Sequence, residues 1–179
     1  MPTADDNFWV TAYEEVSSAA DTPNYAAVVR ITAGGEIDRA YGSSGYAQIK
    51  FDDTHYTRLH SCHESSDGNL IVFGGLIGLG GARFESFMIT RLLPSALTDS
   101  SFGDQGVVDL RKVVKEIRTH VIDIYSVRYA VQPDGGIFIL AKVMRQTGKI
   151  TKAVSYVFHI TKEGKADLTF HDYGFCHVT

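Results

Sequence analysis

The stretch "TDSSFGDQG", from Thr98 to Gly106, decides the fold because its pattern occurs three times in the chain. Each copy has an aspartate, an aromatic residue three positions later and a glycine seven positions after the aspartate. Since a catalytic loop has no reason to recur at matched offsets, we interpret these residues as structural turns. The three copies are Asp38, Tyr41 and Gly45; Asp99, Phe102, Gly103 and Gly106; and Asp167, Phe170 and Gly174.

A second turn signal, Asp-Gly between apolar runs, recurs with a similar period. Asp67-Gly68 and Asp134-Gly135 lie 67 residues apart, and Asp5 fits the same slot near the N-terminus. Asp-Gly predicts a β-hairpin because glycine adopts positive φ without a steric cost. We therefore predict a single repeat domain over residues 1–179, with repeats at about 5–51, 52–112 and 119–179.

The apolar runs between these turns predict the strands. Each complete repeat has four such runs, whereas the first repeat lacks the run before its Asp-Gly slot. Four-stranded units repeated in this way are typical of propeller blades. We predict an all-β fold of β-propeller-type blades, with three four-stranded repeats of which the first is incomplete. The runs "NLIVFGG" (69–75) and "GIFILAK" (136–142) are almost continuously apolar, which predicts strands buried on both faces.

The chain resembles the delta-60 repeat family of bacterial β-propeller-like proteins. The resemblance is carried by "DGNLIVFGG" (67–75), "FMITRLLPSALTDSSFGDQGVV" (87–108) and "VQPDGGIFILAK" (131–142). The middle copy keeps the family's Asp-x-x-Phe-Gly-x-x-Gly pattern, whereas Tyr41 replaces phenylalanine in the first and His171 replaces glycine in the third. The resemblance implies propeller blades and no particular reaction.

Composition and charge argue against several functional classes. The 179 residues carry a net charge of −4, which gives no case for nucleic-acid binding. No apolar run approaches the ~20 residues of a membrane-spanning helix, and "MPTADDNFWV" at the N-terminus has no signal-peptide pattern. Two cysteines form no disulfide framework, so we expect a cytoplasmic protein with reduced thiols.

The segment "DLRKVVKEIRTHVID" (109–123) departs most from the repeat. Its apolar residues lie at helical spacing, which predicts a short helix near 110–120, with an extended edge strand as the alternative. Its basic residues would form a contact surface for an acidic partner or for the acidic N-terminal third of a second copy; alternatively, they only keep a sheet edge soluble. These candidate partner-binding residues are Arg111, Lys112, Lys115 and Arg118.

Histidines and cysteines in "HYTRLHSCH" (55–63) and "FCH" (175–177) raise the question of metal binding. On a regular strand His60 and Cys62 would share a face, and Cys176 or His177 from a neighbouring strand would complete a zinc site. The chain has no Cys-x-x-Cys and no His-x-x-x-His pair, so we predict no metal and no cofactor. It also has no Gly-x-Ser-x-Gly elbow and no phosphate-binding glycine loop, so we predict no catalytic residue.

These observations favour a non-enzymatic protein-binding module built from propeller blades, such as an immunity-type or inhibitory partner protein. Two alternatives are a lectin-like propeller with Trp9 as a sugar platform and a metal-dependent propeller hydrolase. A closed propeller needs at least four blades, and the chain has three repeats. We therefore expect a homodimer that closes a six-bladed ring, or an open array that binds another protein. Neither nucleic acid nor a membrane is an expected partner.

Overall fold

The computed structural model of the chain describes residues 7–13, 25–78, 84–117, 121–147, 149–171 and 174–178. These residues form three antiparallel β-sheets, which we call sheets A, B and C, and one helix. Sheet A contains β1 (Phe8–Tyr13), β2 (Ala26–Ile31) and β3 (Tyr46–Ile49). Sheet B contains β4 (Tyr56–Glu64), β5 (Leu70–Ile77), β6 (Phe84–Leu92) and β7 (Val107–Asp109). The helix α1 (Leu110–Ile117) leads to sheet C, which contains β8 (Val121–Val131), β9 (Ile137–Thr147), β10 (Ile150–Ile160) and β11 (Phe175–Val178).

Every strand pairs with its neighbour in the sequence, so each sheet is an open meander. The predicted all-β class is confirmed, and the described strands number three, four and four in sheets A, B and C. The Asp-Gly pairs of sheets B and C form hairpin turns, in which Gly68 and Gly135 have φ values of +77° and +89°. Their N–H groups donate to the carbonyls of Ser65 and Gln132 at 2.9 and 3.0 Å. Asp5 lies outside the described residues.

Sheet B lies between sheets A and C, and its central strand β5 is buried on both faces. Leu70 and Val72 pack in a cluster shared with sheet A. Ile71 and Phe73 point the other way, into a larger cluster shared with sheet C. The prediction of two-sided burial for residues 69–75 is therefore correct.

The same prediction for residues 136–142 in β9 is wrong. Ile137, Ile139 and Ala141 are buried against sheet B, but Leu140 and Lys142 are exposed on the opposite face. Two-sided burial requires a sheet on each side of the strand, and the described residues cover only one side of sheet C. Leu140 is therefore apolar for a reason other than packing in the core of this chain.

The helix α1 closes one side of the interface between sheets B and C. It begins after Asp109, whose carboxylate accepts the Arg111 N–H at 2.8 Å as an N-cap. Leu110, Val113 and Val114 are buried in the cluster between the two sheets. The predicted short helix is confirmed, and the edge-strand alternative is wrong. No helix among the described residues has the length and apolar character needed to cross a membrane.

Neighbouring sheets also touch through their turns. The Gly103 N–H in the aspartate turn of sheet B donates to the Glu163 carbonyl in the β10 hairpin of sheet C at 2.8 Å. A Cβ at Gly164 would lie 2.5 Å from the Gly103 nitrogen, so the two backbones can approach only because Gly164 has no side chain. Ala96 of sheet B lies in the same way against Gly42 of sheet A.

We predict that Gly164→Ala destabilises the fold more than Gly35→Ala. Both glycines have positive φ, which costs alanine about 1–2 kcal/mol, but a Cβ at Gly35 meets no atom within 4 Å. The clash with Gly103 adds about 1–3 kcal/mol at Gly164 alone. Urea unfolding of the two variants measures this difference, and equal losses of unfolding free energy would show that the turns do not hold sheets B and C together.

Candidate functional site

The structure places the predicted turn residues in three equivalent turns, one in each sheet. In sheet B the Asp99 carboxylate accepts the N–H and the hydroxyl of Ser101 at 3.0 and 2.6 Å. The Phe102 N–H donates to the Asp99 carbonyl at 3.1 Å, and the Gly106 N–H donates to the Phe102 carbonyl at 2.8 Å. The Ala40 and Thr169 N–H groups likewise donate to the Asp38 and Asp167 carboxylates, and only Thr169 adds a hydroxyl bond. The backbone bonds from Tyr41 to Asp38, Gly45 to Tyr41, Phe170 to Asp167 and Gly174 to Phe170 match those of sheet B. These hydrogen bonds fix the backbone of each turn.

Each turn aspartate also has a cationic or imidazole partner eight residues before it, which the sequence analysis missed. The Asp99 carboxylate contacts the Arg91 guanidinium at 2.6 Å, and the Asp167 carboxylate contacts His159 Nδ1 at 2.9 Å. In sheet A the partner of Asp38 is Arg30, at 3.5 Å. A basic residue or histidine at a constant offset before each aspartate was the signal available in the sequence.

These contacts lower the pKa of the turn carboxyl groups in sheets B and C. The hydroxyl of Ser101 and then the Arg91 guanidinium lower the pKa of Asp99. The hydroxyl of Thr169 and the His159 imidazole lower the pKa of Asp167 from 3.8 to about 2. Hydrogen bonds to an ionised carboxylate favour that form, so both turns are most stable with the aspartate charged.

His171 occupies the position at which the other two turns have glycine. Its φ of +49° is close to the +52° of Gly42 and the +62° of Gly103. The third turn thus keeps the left-handed backbone that the glycines provide, although histidine carries a side chain there. The departure of His171 from the repeat pattern leaves the turn geometry intact.

The predicted basic surface is divided among different contacts. Arg111 donates to the Glu85 carbonyl and lies 3.8 Å from the Asp123 carboxylate, so it links α1 to sheets B and C. Lys112 pairs with Asp104 at 3.6 Å, and both side chains are exposed. Lys115 is exposed on α1, and Arg118 lies outside the described residues. The structure therefore gives Arg111 an internal role and leaves Lys112 and Lys115 on the surface.

Among the described residues, His60, Cys62 and His63 of β4 border one cleft without forming a cluster that could hold a metal ion. A β-bulge between Leu59 and Ser61 breaks the alternation of β4, so the expectation that His60 and Cys62 share a face is wrong. The His60 ring lies near Phe87, in the cluster with sheet C, whereas Cys62 packs toward sheet A. No group of three or more metal-binding side chains occurs within the described ranges.

A cleft of about 520 Å³ lies where β1, β4 and β8 meet. Trp9 and Tyr129 line it, but both rings are held by other residues. The centroids of the stacked Tyr129 and Phe73 rings are 3.4 Å apart, and Trp9 Nε1 donates to the Glu64 carboxylate at 2.9 Å. Burial raises the pKa of the Cys62 thiol in this cleft to about 11. The thiol is therefore protonated at neutral pH and is a poor nucleophile.

Sheet A presents one face that no other described sheet covers, which we call the outer face of sheet A. Large apolar side chains are exposed on it, and β1 and β2 are paired there in register. Val10, which is 46% exposed, lies at its centre opposite Val29 of β2. The residues that define this face are Phe8, Val10, Val29, Ile31 and Tyr46.

Sheet C presents the second uncovered face, which we call the outer face of sheet C. Leu140, 41% exposed, lies at its centre opposite Val157 of β10. Lys142 and Arg128 flank Leu140 with two positive charges. The residues that define this face are Phe138, Leu140, Lys142, Val157 and Val178. The sequence pattern alone could not separate these positions from core positions, because both are apolar at the same spacing.

Comparisons with protein-family models, curated proteins and solved structures found no match for the chain. The resemblance to the delta-60 repeat family therefore stays a prediction from the sequence.

We predict that the stability of the fold decreases at acidic pH because Asp167 becomes protonated. A carboxyl group with a lowered pKa stabilises the folded chain above its ordinary pKa, and this contribution is lost as pH falls toward the folded value. For Asp167 these values are 3.8 and about 2. We expect the unfolding free energy of the wild type to fall over this window more steeply than that of Asp167→Asn, as measured by urea unfolding at a series of pH values.

The matched control is Asp134→Asn, in the β8–β9 hairpin, where the carboxylate accepts the Gly136 N–H at 3.0 Å. This variant should keep the steep decrease of the wild type. An Asp167→Asn variant whose stability follows the wild-type pH profile would contradict the assigned role of the Asp167 carboxylate.

Proposed function

We propose that the protein is a non-enzymatic protein-binding module of propeller-type blades that acts through the outer faces of sheets A and C. The observation that carries this proposal is the exposure of Val10 and Leu140 at the centres of two continuous strand surfaces. Contiguous exposed apolar patches mark protein–protein contact sites, since a solvated face of an antiparallel sheet is normally polar. An inhibitory partner protein of immunity type, acting in the cytoplasm, is one form that this function would take.

The arrangement of the sheets supports the propeller-type part of the proposal. The first strands of sheets B and C, β4 and β8, border the same cleft together with β1 of sheet A. Stacked four-stranded meanders whose first strands converge are the arrangement that propeller blades adopt around an axis. The packing of sheet A on sheet B and of sheet B on sheet C supports the same interpretation.

The cleft favours carbohydrate binding as a second candidate function. Trp9, His60 and Tyr129 line it with aromatic surface, and Ser61 adds a hydroxyl group. Sugars bind to such combinations of ring faces and hydrogen-bonding groups. The packed state of the Trp9 and Tyr129 rings makes this candidate weaker than binding through the outer faces.

The two functions are separated by capture experiments with the purified chain. We expect the tagged wild type to retain a specific protein, either an untagged copy of this chain or a different protein, identified by mass spectrometry. The double variant Val10→Lys/Leu140→Asp should lose it at least tenfold, because each change places a charge on an apolar contact face. The control is Leu97→Lys, an exposed residue of the sheet B hairpin. It should bind like the wild type.

Protein capture that is equal for the wild type and the double variant would contradict the proposal. On a glycan array we expect no binding. A glycan that binds the wild type and the double variant equally, and is lost in Tyr129→Ala, would assign function to the cleft instead.

A further inference from the structure

The two outer faces occupy positions that are buried elsewhere in the same chain. The turn aspartates align the three sheets, because Val29, Thr90 and Phe158 each lie nine residues before one of them. These residues pair with Val10, Val72 and Ile139 of the neighbouring strands. Val10, Val72 and Ile139 are therefore the same position in sheets A, B and C. Their exposed fractions are 46%, 0% and 1%, since only in sheets B and C does a preceding sheet cover them.

The outer face of sheet C shows the converse. Leu140 of β9 pairs with Val157, and at the same position of sheet B Phe73 of β5 pairs with Ile89. Phe73 is 2% exposed because sheet C covers it, whereas Leu140 is 41% exposed because no described sheet follows sheet C. Two interfaces of the same kind, between sheets A and B and between sheets B and C, occur inside the stack. Each end of the stack presents one of the two faces that form such an interface.

The turns at the two ends are complementary in the same way. Ala96 and Gly164 are equivalent hairpin positions that lie against Gly42 and Gly103 of the preceding sheet. The equivalent position in sheet A is Gly35, where a Cβ would meet nothing within 4 Å. The residue of sheet C that is equivalent to Gly42 and Gly103, and so would contact Gly35 of another copy, is His171, which is exposed. The open space at Gly35 leaves room for the larger side chain of His171.

The charges of the two ends also favour each other. Residues 1–66, which include sheet A, carry ten acidic and four basic residues, whereas residues 67–179 carry eleven acidic and thirteen basic ones. The outer face of sheet C contributes Arg128 and Lys142 to this positive end. Opposite net charge promotes the approach of the two ends of different copies.

We infer that the outer face of sheet A binds the outer face of sheet C of a second copy of this chain, and that two copies close a ring of six sheets. The inference rests on the proposed protein-binding function and names the partner. It follows from continuity with the interfaces between sheets A and B and between sheets B and C, whose two halves are the faces left open at the ends. A head-to-tail contact makes a closed ring when its rotation returns to the start. Propellers have about four to eight blades, and with three sheets per copy only two copies give a number in this range.

The first test is the mass of the purified chain in size-exclusion chromatography with light scattering. We expect the wild type to have twice the mass of one chain at micromolar concentration. Val10→Lys alone and Leu140→Asp alone should each give a single-chain mass, because each blocks one half of both contacts in the ring. Leu97→Lys is the control and should stay at twice the chain mass, since the equivalent positions Glu36 and Lys165 are already charged.

The second test mixes the two face variants. The mixture restores one native contact, between the intact sheet C of Val10→Lys and the intact sheet A of Leu140→Asp, and places a lysine and an aspartate in the other. We expect species of twice the chain mass to return in the mixture. Circular dichroism of each variant checks that the single-chain species are folded.

A wild-type chain that is monomeric would overturn the inference, and so would a ladder of larger assemblies, which would show that the ring does not close. A face variant that stays dimeric alone would also overturn it, since this would indicate pairing of like faces. If the chain is monomeric but captures a foreign protein that the double variant loses, the second copy is wrong as the partner and the proposed binding function is retained.

Discussion

The hydrogen-bonded aspartate turn is the interaction on which the arrangement of the sheets depends. The Asp99 carboxylate holds the Ser101 amide and the Arg91 guanidinium, and this fixes the loop so that the Gly103 N–H points at the Glu163 carbonyl of the next sheet. Arg91 itself also donates to the carbonyl of Lys162. The Asp99 carboxylate thus orders both the end of sheet B and its contact with sheet C. Because this turn makes hydrogen bonds both within its own sheet and to the next one, its residues have little freedom to vary. This restriction agrees with the fixed offsets at which the turn pattern recurs.

Local signals in the sequence predicted the local structure well. The Asp-Gly pairs predicted the hairpins, and the apolar spacing of residues 110–117 predicted α1. Burial was harder to predict, because the apolar runs of β5 and β9 look alike while only β5 has a sheet on each side. The bulge in β4 was also missed: nothing in "HYTRLHSCH" distinguishes a bulged strand from a regular one, so His60 and Cys62 were placed on one face. The partners of the turn aspartates were present in the sequence as Arg30, Arg91 and His159, but their role appears only when β2, β6 and β10 are aligned.

The surfaces available for function are those at which the stacking of sheets ends, the outer faces of sheets A and C. In the interior of the stack the Asp99 carboxylate is paired with Arg91, and burial keeps the Cys62 thiol protonated. At the two ends, no described sheet covers the outer faces of sheets A and C. Val72 and Phe73, which are equivalent to Val10 and Leu140, are buried in the core. Val10 and Leu140 are apolar as well, although in the described chain they are exposed to water. The physical driving force that packs sheet A on sheet B is therefore available again at each end for association.

The most direct test of the proposed two-copy ring is a crystal structure of the purified protein in its assembled state. We expect six sheets around one axis, with Val10 of each copy buried against the sheet that carries Leu140 of the other copy. We also expect Gly35 of one copy to lie beside His171 of the other, as Gly164 lies beside Gly103. A structure in which both outer faces remain in solvent, or in which sheet A packs on sheet A, would contradict it.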